Sequence, residues 1–242
     1  MKNSTTPPVN RTSIDRFSPL EKKLGVIFKN RNILTMAFIH KSYMNEVKNK
    51  SLENNERLEF LGDAVLELVV TEYLYLNYDS PEGVLTNWRS ALVKGKNLAE
   101  IASKLNLGAY LSLSKGERES GGEHKSYILA NTFEALIGAL YLDQGLDVAR
   151  HFINHFVIKY LDEIIEKGLY IDSKSRFQEI SQETFGITPE YRLLSEEGPD
   201  HDKHFTMGAF LGEKMMGEGK GTSKQNAEQV AAENVLKQHG WK

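Results

Sequence analysis

The chain has 242 residues, 40% of them hydrophobic and only six of them proline, which is enough to bury one or two cores. It has no cysteine, which excludes thiolate zinc sites and any dependence on disulfides. Thirty Lys and Arg against 33 Asp and Glu leave a net charge of −3, so bulk charge does not point to a polyanionic partner. From Asp172 onward the balance is nine against twelve, so any such role must rest on where individual lysines sit. The start, MKNSTTPPVNRTSIDRFSP, has no apolar run, and no later run reaches about 18 apolar residues. The expectation is a soluble cytoplasmic protein with no membrane partner.

Residues 1–17 read as a flexible polar tail. From 18 to 167 the apolar residues recur at three- and four-residue spacing, which predicts an all-α domain. The segments are PLEKKLGVIF, NILTMAFIHKSYM, ENNERLEFLGDAVLELVV, NLAEIASKLN, YILANTFEALIGALYLDQG and VARHFINHFVIKYLDEIIEK. Between them SLSKGERESGGEHKS reads as a polar loop. Residues 168–174 read as a linker. Residues 175–242 then change period. SRFQEISQETFG is a helix closed by Gly186. PEYRLLSEEG, HFTMGAFLG and KMMGEGKG are strands, the last two joined by a hairpin at Gly212-Glu213. TSKQNAEQVAAENVLKQHG is a final helix, with Thr222 and Gln225 as a capping box and Gly240 as its stop. The second domain is therefore α+β, in the order α-β-β-β-α.

The third helical segment carries an unusual line of acids. At about 100° per residue, Glu56, Glu59, Asp63 and Glu67 fall within a stripe roughly 80° wide, and apolar residues occupy nearly all other directions. Like charges one turn apart repel, and burying them unpartnered costs several kcal/mol. Two readings are open: a wet edge whose acids pair with arginines elsewhere, or a site for a hard divalent cation. A second apolar helix holds a single acid, Glu134, with Asn131 one turn before it. Two such helices with inward oxygens favour a shared metal site.

NERLEFLGDAVL (55–66) resembles the signature of the ribonuclease III family, endonucleases of double-stranded RNA. HKSYMNE (40–46), GERESGG (116–122) and ANTFEALIGALYLDQG (130–145) extend the resemblance. EYRLLSEEGPDHDKHF and GEGKGTSKQNAEQVAAENVL resemble the double-stranded RNA-binding domain, in the domain order of the bacterial enzymes. The resemblance implies an Mg²⁺ site, with Mn²⁺ as a substitute, built from Glu59, Asp63, Asn131 and Glu134, with Asp63 and Glu134 as catalytic residues. Asn131 departs from the family, where aspartate is common, and a neutral amide at that position implies weaker metal affinity. Glu56 and Glu82 match outer, supporting positions. Glu67 matches no family role and is expected at the surface. Phe60 matches a dimer-interface residue, which implies a homodimer that cuts both strands. The products implied have 5′ phosphates, 3′ hydroxyls and short 3′ overhangs, from ribosomal RNA precursors and other structured transcripts.

In the second domain Gln178 and Glu179 would face one minor groove and His201 the next. Lys220 and Lys224, at the start of the last helix, would meet phosphates between them. Gln225 stands where a lysine is common. The competing reading is a non-catalytic RNA-binding protein that kept the fold. A phosphohydrolase of small nucleotides is disfavoured by the second domain.

Overall fold

The computed structural model describes residues 16–47, 52–168, 170, 173–199 and 203–241. Its chain forms two compact units, divided between Tyr170 and Ile171. Residues 1–15 of the tail, most of the segment 169–172 and His201 lie outside the described residues. The tail reading ends two residues too late, because Phe17 is buried against Phe38, ring centroids 5.3 Å apart.

The first unit is helical. Its helices are α1 (Ser18–Leu24), α2 (Arg31–Ala37), α3 (Glu56–Asn77), α4 (Glu82–Val93), α5 (Gly95–Lys104), α6 (Lys115–Glu119), α7 (Ser126–Gln144), α8 (Leu146–Phe156) and α9 (Leu161–Glu166). Helix α7 runs through the centre, and Phe133, Leu136, Ile137 and Leu140 have no exposed surface. Burying each such side chain contributes about 1.5–3 kcal/mol. Helix α8 sets Phe152 against Phe133, with ring centroids 5.5 Å apart. Helix α3 lies along α7 and buries Leu58, Val65, Leu66, Val69, Val70 and Leu74.

Local chemistry explains most boundaries. Gly25 ends α1 in the left-handed region at φ 69°, and the Asn30 side chain caps α2 by accepting from the Asn32 N–H at 3.0 Å. The stretch read as a polar loop contains α6, because the Ser114 hydroxyl accepts from the Glu117 N–H at 3.2 Å. The last long helical pattern breaks into α8, a 3-10 turn at Ile158–Tyr160, and α9. Helix α4 corresponds to no segment in the periodicity reading. It is pinned by Trp88, whose ring meets Tyr78 edge-on at 5.1 Å.

The second unit has helix α10 (Ser173–Phe185), strands β1 (Glu190–Glu197), β2 (His204–Leu211) and β3 (Lys214–Gly221), and helix α11 (Lys224–His239). The strands form one antiparallel sheet in the order β1-β2-β3. Leu211 pairs with Lys214 across the tight turn, where Gly212 takes φ 60°. Ala209 and Leu211 of β2 and Met216 of β3 face Phe177 of α10 and Ala231, Val235 and Leu236 of α11 in one core. Helix α10 begins within the span read as linker. Its first turn packs as part of the unit, with Lys174 paired to Glu228 at 2.6 Å. The cap of α11 is Ser223 rather than Thr222: the extended Ser223 accepts from the Asn226 N–H at 3.2 Å.

Candidate active site and duplex-binding face

Two glycines bring α3 and α7 together. A Cβ on Gly62 would overlap the carbonyl oxygen of Glu134, and a Cβ on Gly138 would overlap that of Leu58. The helices therefore cross backbone to backbone. That crossing sets Glu59 and Asp63 of α3 beside Asn131 and Glu134 of α7. Interior glycines weaken a helix, so each marks a packing need. The sequence reading did not use that signal.

The electrostatics report the proximity. The Glu134 carboxyl is pushed up to about 7, first by burial and then by the charges of Asp63 and Glu59. Burial also raises Glu59, against a lowering hydrogen bond from the Asn131 side chain. Among the described residues none of Glu59, Asp63 and Glu134 forms an ion pair with Lys, Arg or His. The acids are close enough to repel but carry no neutralising partner. Asp63 is exposed and the other three are partly buried, so the group is open to solvent.

Three carboxylates and an amide oxygen are the donors a hard divalent cation takes, and their uncompensated charge fits one. As the side chains stand, no three Asp, Glu or His groups among the described residues converge closely enough to hold an ion. The set fits a hard cation in the chemistry of its donors.

The outer acids part ways. Glu56 is exposed and meets Lys41 at 3.4 Å and the Asn54 side chain at 3.0 Å; both partners lower its pKa. Glu67 stands 3.9 Å from Arg89, the arginine pairing of the wet-edge reading. Glu82 opens α4 and lines a separate cleft with Tyr75, Asn77, Asp79 and Arg89. That cleft begins at Thr71, about 18 Å along α3 from Glu59 at 1.5 Å per residue. The structure therefore does not bring Glu82 to the acid group.

The apolar residues of α3 are not all core. Phe60 is 81% exposed, Leu68 55% and Tyr75 76%. With Ala64 they form a stripe beside the acids that this unit leaves open to solvent.

In the second unit Gln178 and Glu179 are exposed on α10, and Glu179 pairs with Arg176 at 3.3 Å. Lys224 opens α11 and lies over the Phe205 ring at 5.9 Å. Lys220 is not on that helix. It sits in β3 opposite Thr206, exposed. Gln225 faces a small polar cleft with Gln178 and Gln229. The glycines of GEGKG have a purpose that the reading missed. A Cβ on Gly219 would overlap α11 at Ala227 and Ala231, so β3 lies directly on that helix and fixes where it starts.

This is the architecture of an endonuclease unit linked to a duplex-binding unit. Residues 30–161 match the ribonuclease-III-like family and residues 173–239 the double-stranded RNA binding motif. Ribonuclease 3 of Enterococcus faecalis is 43% identical over 90% of this chain and 95% of its own length. That of Oceanobacillus iheyensis is 46% identical over 90% and 96%. The solved nuclease domain of ribonuclease III from Campylobacter jejuni, described for flexibility in a region involved in its dimer formation, is 43% identical. It covers 60% of this chain and 97% of itself, with a TM-score of 0.55. The chain belongs to the ribonuclease III family of endonucleases. No helix among the described residues is long and apolar enough to cross a membrane.

Proposed function

We propose that the chain is a homodimeric, Mg²⁺-dependent endoribonuclease of double-stranded RNA. It leaves 5′ phosphates, 3′ hydroxyls and short 3′ overhangs, and it acts in the cytoplasm on ribosomal RNA precursors and other structured transcripts. The observation that carries this reading is Glu134, its carboxyl pushed up to about 7 by burial and by the charges of Asp63 and Glu59 at a crossing of two helices. Carboxylates forced together without a counter-ion suit a polyvalent cation.

Glu59, Asp63, Asn131 and Glu134 would hold the metal, with Asp63 and Glu134 as its catalytic ligands. When bound, the ion supplies an activated water and neutralises charge on the leaving 3′ oxygen. Asn131 donates its amide hydrogen to Glu59 and keeps its oxygen for the cation. Glu134 would hold the ion as its carboxylate, the form that burial and the neighbouring acids disfavour without one. Gln178, Glu179, His201, Lys220 and Lys224 would place the duplex by shape and phosphate contact. The exposed stripe through Phe60 supports a second copy of the chain as its cover.

The test is an end-labelled RNA duplex incubated with wild type and Glu134→Gln, with and without Mg²⁺. Metal-dependent cutting to short duplexes, lost in the variant, is the expected result. Tight binding without cutting at any Mg²⁺ or Mn²⁺ concentration would make the chain a duplex binder, and Asn131→Asp would then be expected to restore cutting.

A further inference from the structure

We propose that Lys41 is a positioning residue that grips a phosphate oxygen of the RNA strand at the edge of the acid group, exchanging Glu56 for that phosphate. The inference rests on the duplex-cleaving reading above and adds a contact to it.

A line of carboxylates repels the polyanion it is meant to cut, so a cation at its border has work to do. Lys41 is placed there. Its ammonium lies 3.4 Å from Glu56, in the first turn of α3 and about one turn before Glu59.

The backbone that carries Lys41 is held from both sides. The His40 N–H donates to Ser112 O at 3.1 Å, and the Ser112 N–H donates to Phe38 O at 2.8 Å. The Asn55 N–H, one residue before α3, donates to Ile39 O at 2.9 Å. The His40 ring accepts from the Ser42 N–H at 3.3 Å, and the Ser42 hydroxyl accepts from the Ser114 N–H at 3.1 Å. The position of Lys41 relative to the first turn of α3 is therefore fixed.

Its side chain is not fixed. The pair with Glu56 spans 3.4 Å, with 66% of the lysine and 54% of the glutamate side chain exposed. A pair this open adds little to stability and exchanges readily. The contrast is Lys125, which donates to Glu117 at 2.7 Å and to Ser120 at 2.9 Å and is two-thirds covered. Lys125 is committed to the fold. Lys41 has one loose partner, beside the acids, and a phosphate would replace it.

The test compares full-length wild type, Lys41→Gln and Lys41→Arg, each also in a Glu56→Gln background. Single-turnover cleavage of an RNA duplex is followed against salt concentration. Lys41→Gln should lower kcat/KM about tenfold and reduce the slope of its logarithm against log salt by about one, the loss of one phosphate contact. Lys41→Arg should keep most of both. The Mg²⁺ concentration giving half-maximal rate should not rise in Lys41→Gln. If Lys41 merely masks Glu56, the defect vanishes in the Glu56→Gln background, and the proposal falls. An unchanged salt slope also overturns it. Should the wild type bind duplex and cut none, the cleavage reading falls, and the same salt slope measured on duplex binding still decides the role of Lys41.

Discussion

Both units pair acids with bases inside the chain, and they part at one place. In the duplex-binding unit exposed acids are answered within the chain: Lys174 meets Glu228, Arg192 meets Glu190 and Glu213, Lys203 meets Glu196, and Lys237 meets Glu233. In the helical unit Glu59, Asp63 and Glu134 are gathered at one helix crossing with no such answer among the described residues. Both units use glycines to bring backbones into contact. In one, Gly219 seats a strand on α11; in the other, Gly62 and Gly138 press acids together. Charge neutralised inside the chain belongs to the fold. Charge left unneutralised by a rigid scaffold marks a place where something else binds.

The largest test of this contrast removes the crossing. Gly62→Ala places a methyl on the backbone of Glu134, a rigid neighbour that cannot step aside. We expect a loss of at least about 3 kcal/mol in unfolding free energy and no measurable cleavage. Urea denaturation and the duplex assay read both. Retained activity at wild-type stability would mean that the crossing does not hold the acids.

Glu134→Gln separates activity from stability. Its carboxyl has a folded pKa of about 7 against 4.5 when free, so folding favours the protonated form. The charged form opposes folding, an effect absent below about pH 4.5, growing up to pH 7 and complete above it. The neutral variant should cut at least a hundredfold more slowly. In metal-free buffer at pH 8 it should nevertheless melt a few degrees higher than wild type, with the gain shrinking to nothing near pH 4.5. Mg²⁺ should raise the melting temperature of wild type and not of the variant.

A smaller effect belongs to the other unit. Replacing both Lys220 and Lys224 by alanine should weaken duplex binding several-fold and reduce its salt slope by about two, with the cut positions unchanged. Altered cut positions would show that the binding unit chooses the site as well as holding the substrate.

How far the residues alone carry this contrast depends on what periodicity can report. Glu59, Asp63, Asn131 and Glu134 could be placed on facing helices because one angular step per residue defines a stripe. The same arithmetic could not say that Phe60, Leu68 and Tyr75 stay exposed, since an apolar residue looks alike in a core and on an uncovered face. Helix α4 escaped because only Trp88 and Leu92 are buried in it, too few to make a pattern, although Pro81 before Glu82 marks its start. Lys220 and Lys224 looked like helix neighbours, but a strand end and a cap at Ser223 lie between them. The pairing of Lys41 with Glu56 joins residues from a 3-10 turn and a helix, and no local pattern encodes it. Gly62 and Gly138 were legible as interruptions; what they approach is a matter of tertiary contact.

The smallest prediction uses a glycine that approaches nothing. Gly83 lies in the first turn of α4, and a Cβ there would meet no atom within 4 Å. Its backbone is helical, so alanine adopts it without strain. The substitution acts mainly on the unfolded chain, which loses conformations that glycine alone allows. Gly83→Ala should therefore stabilise the protein by about 0.5–1 kcal/mol and leave cleavage unchanged. Set beside Gly62→Ala, the same chemical change should have opposite signs at two helical positions of one unit. If Gly83→Ala proves destabilising, that face of α4 is covered in the working protein.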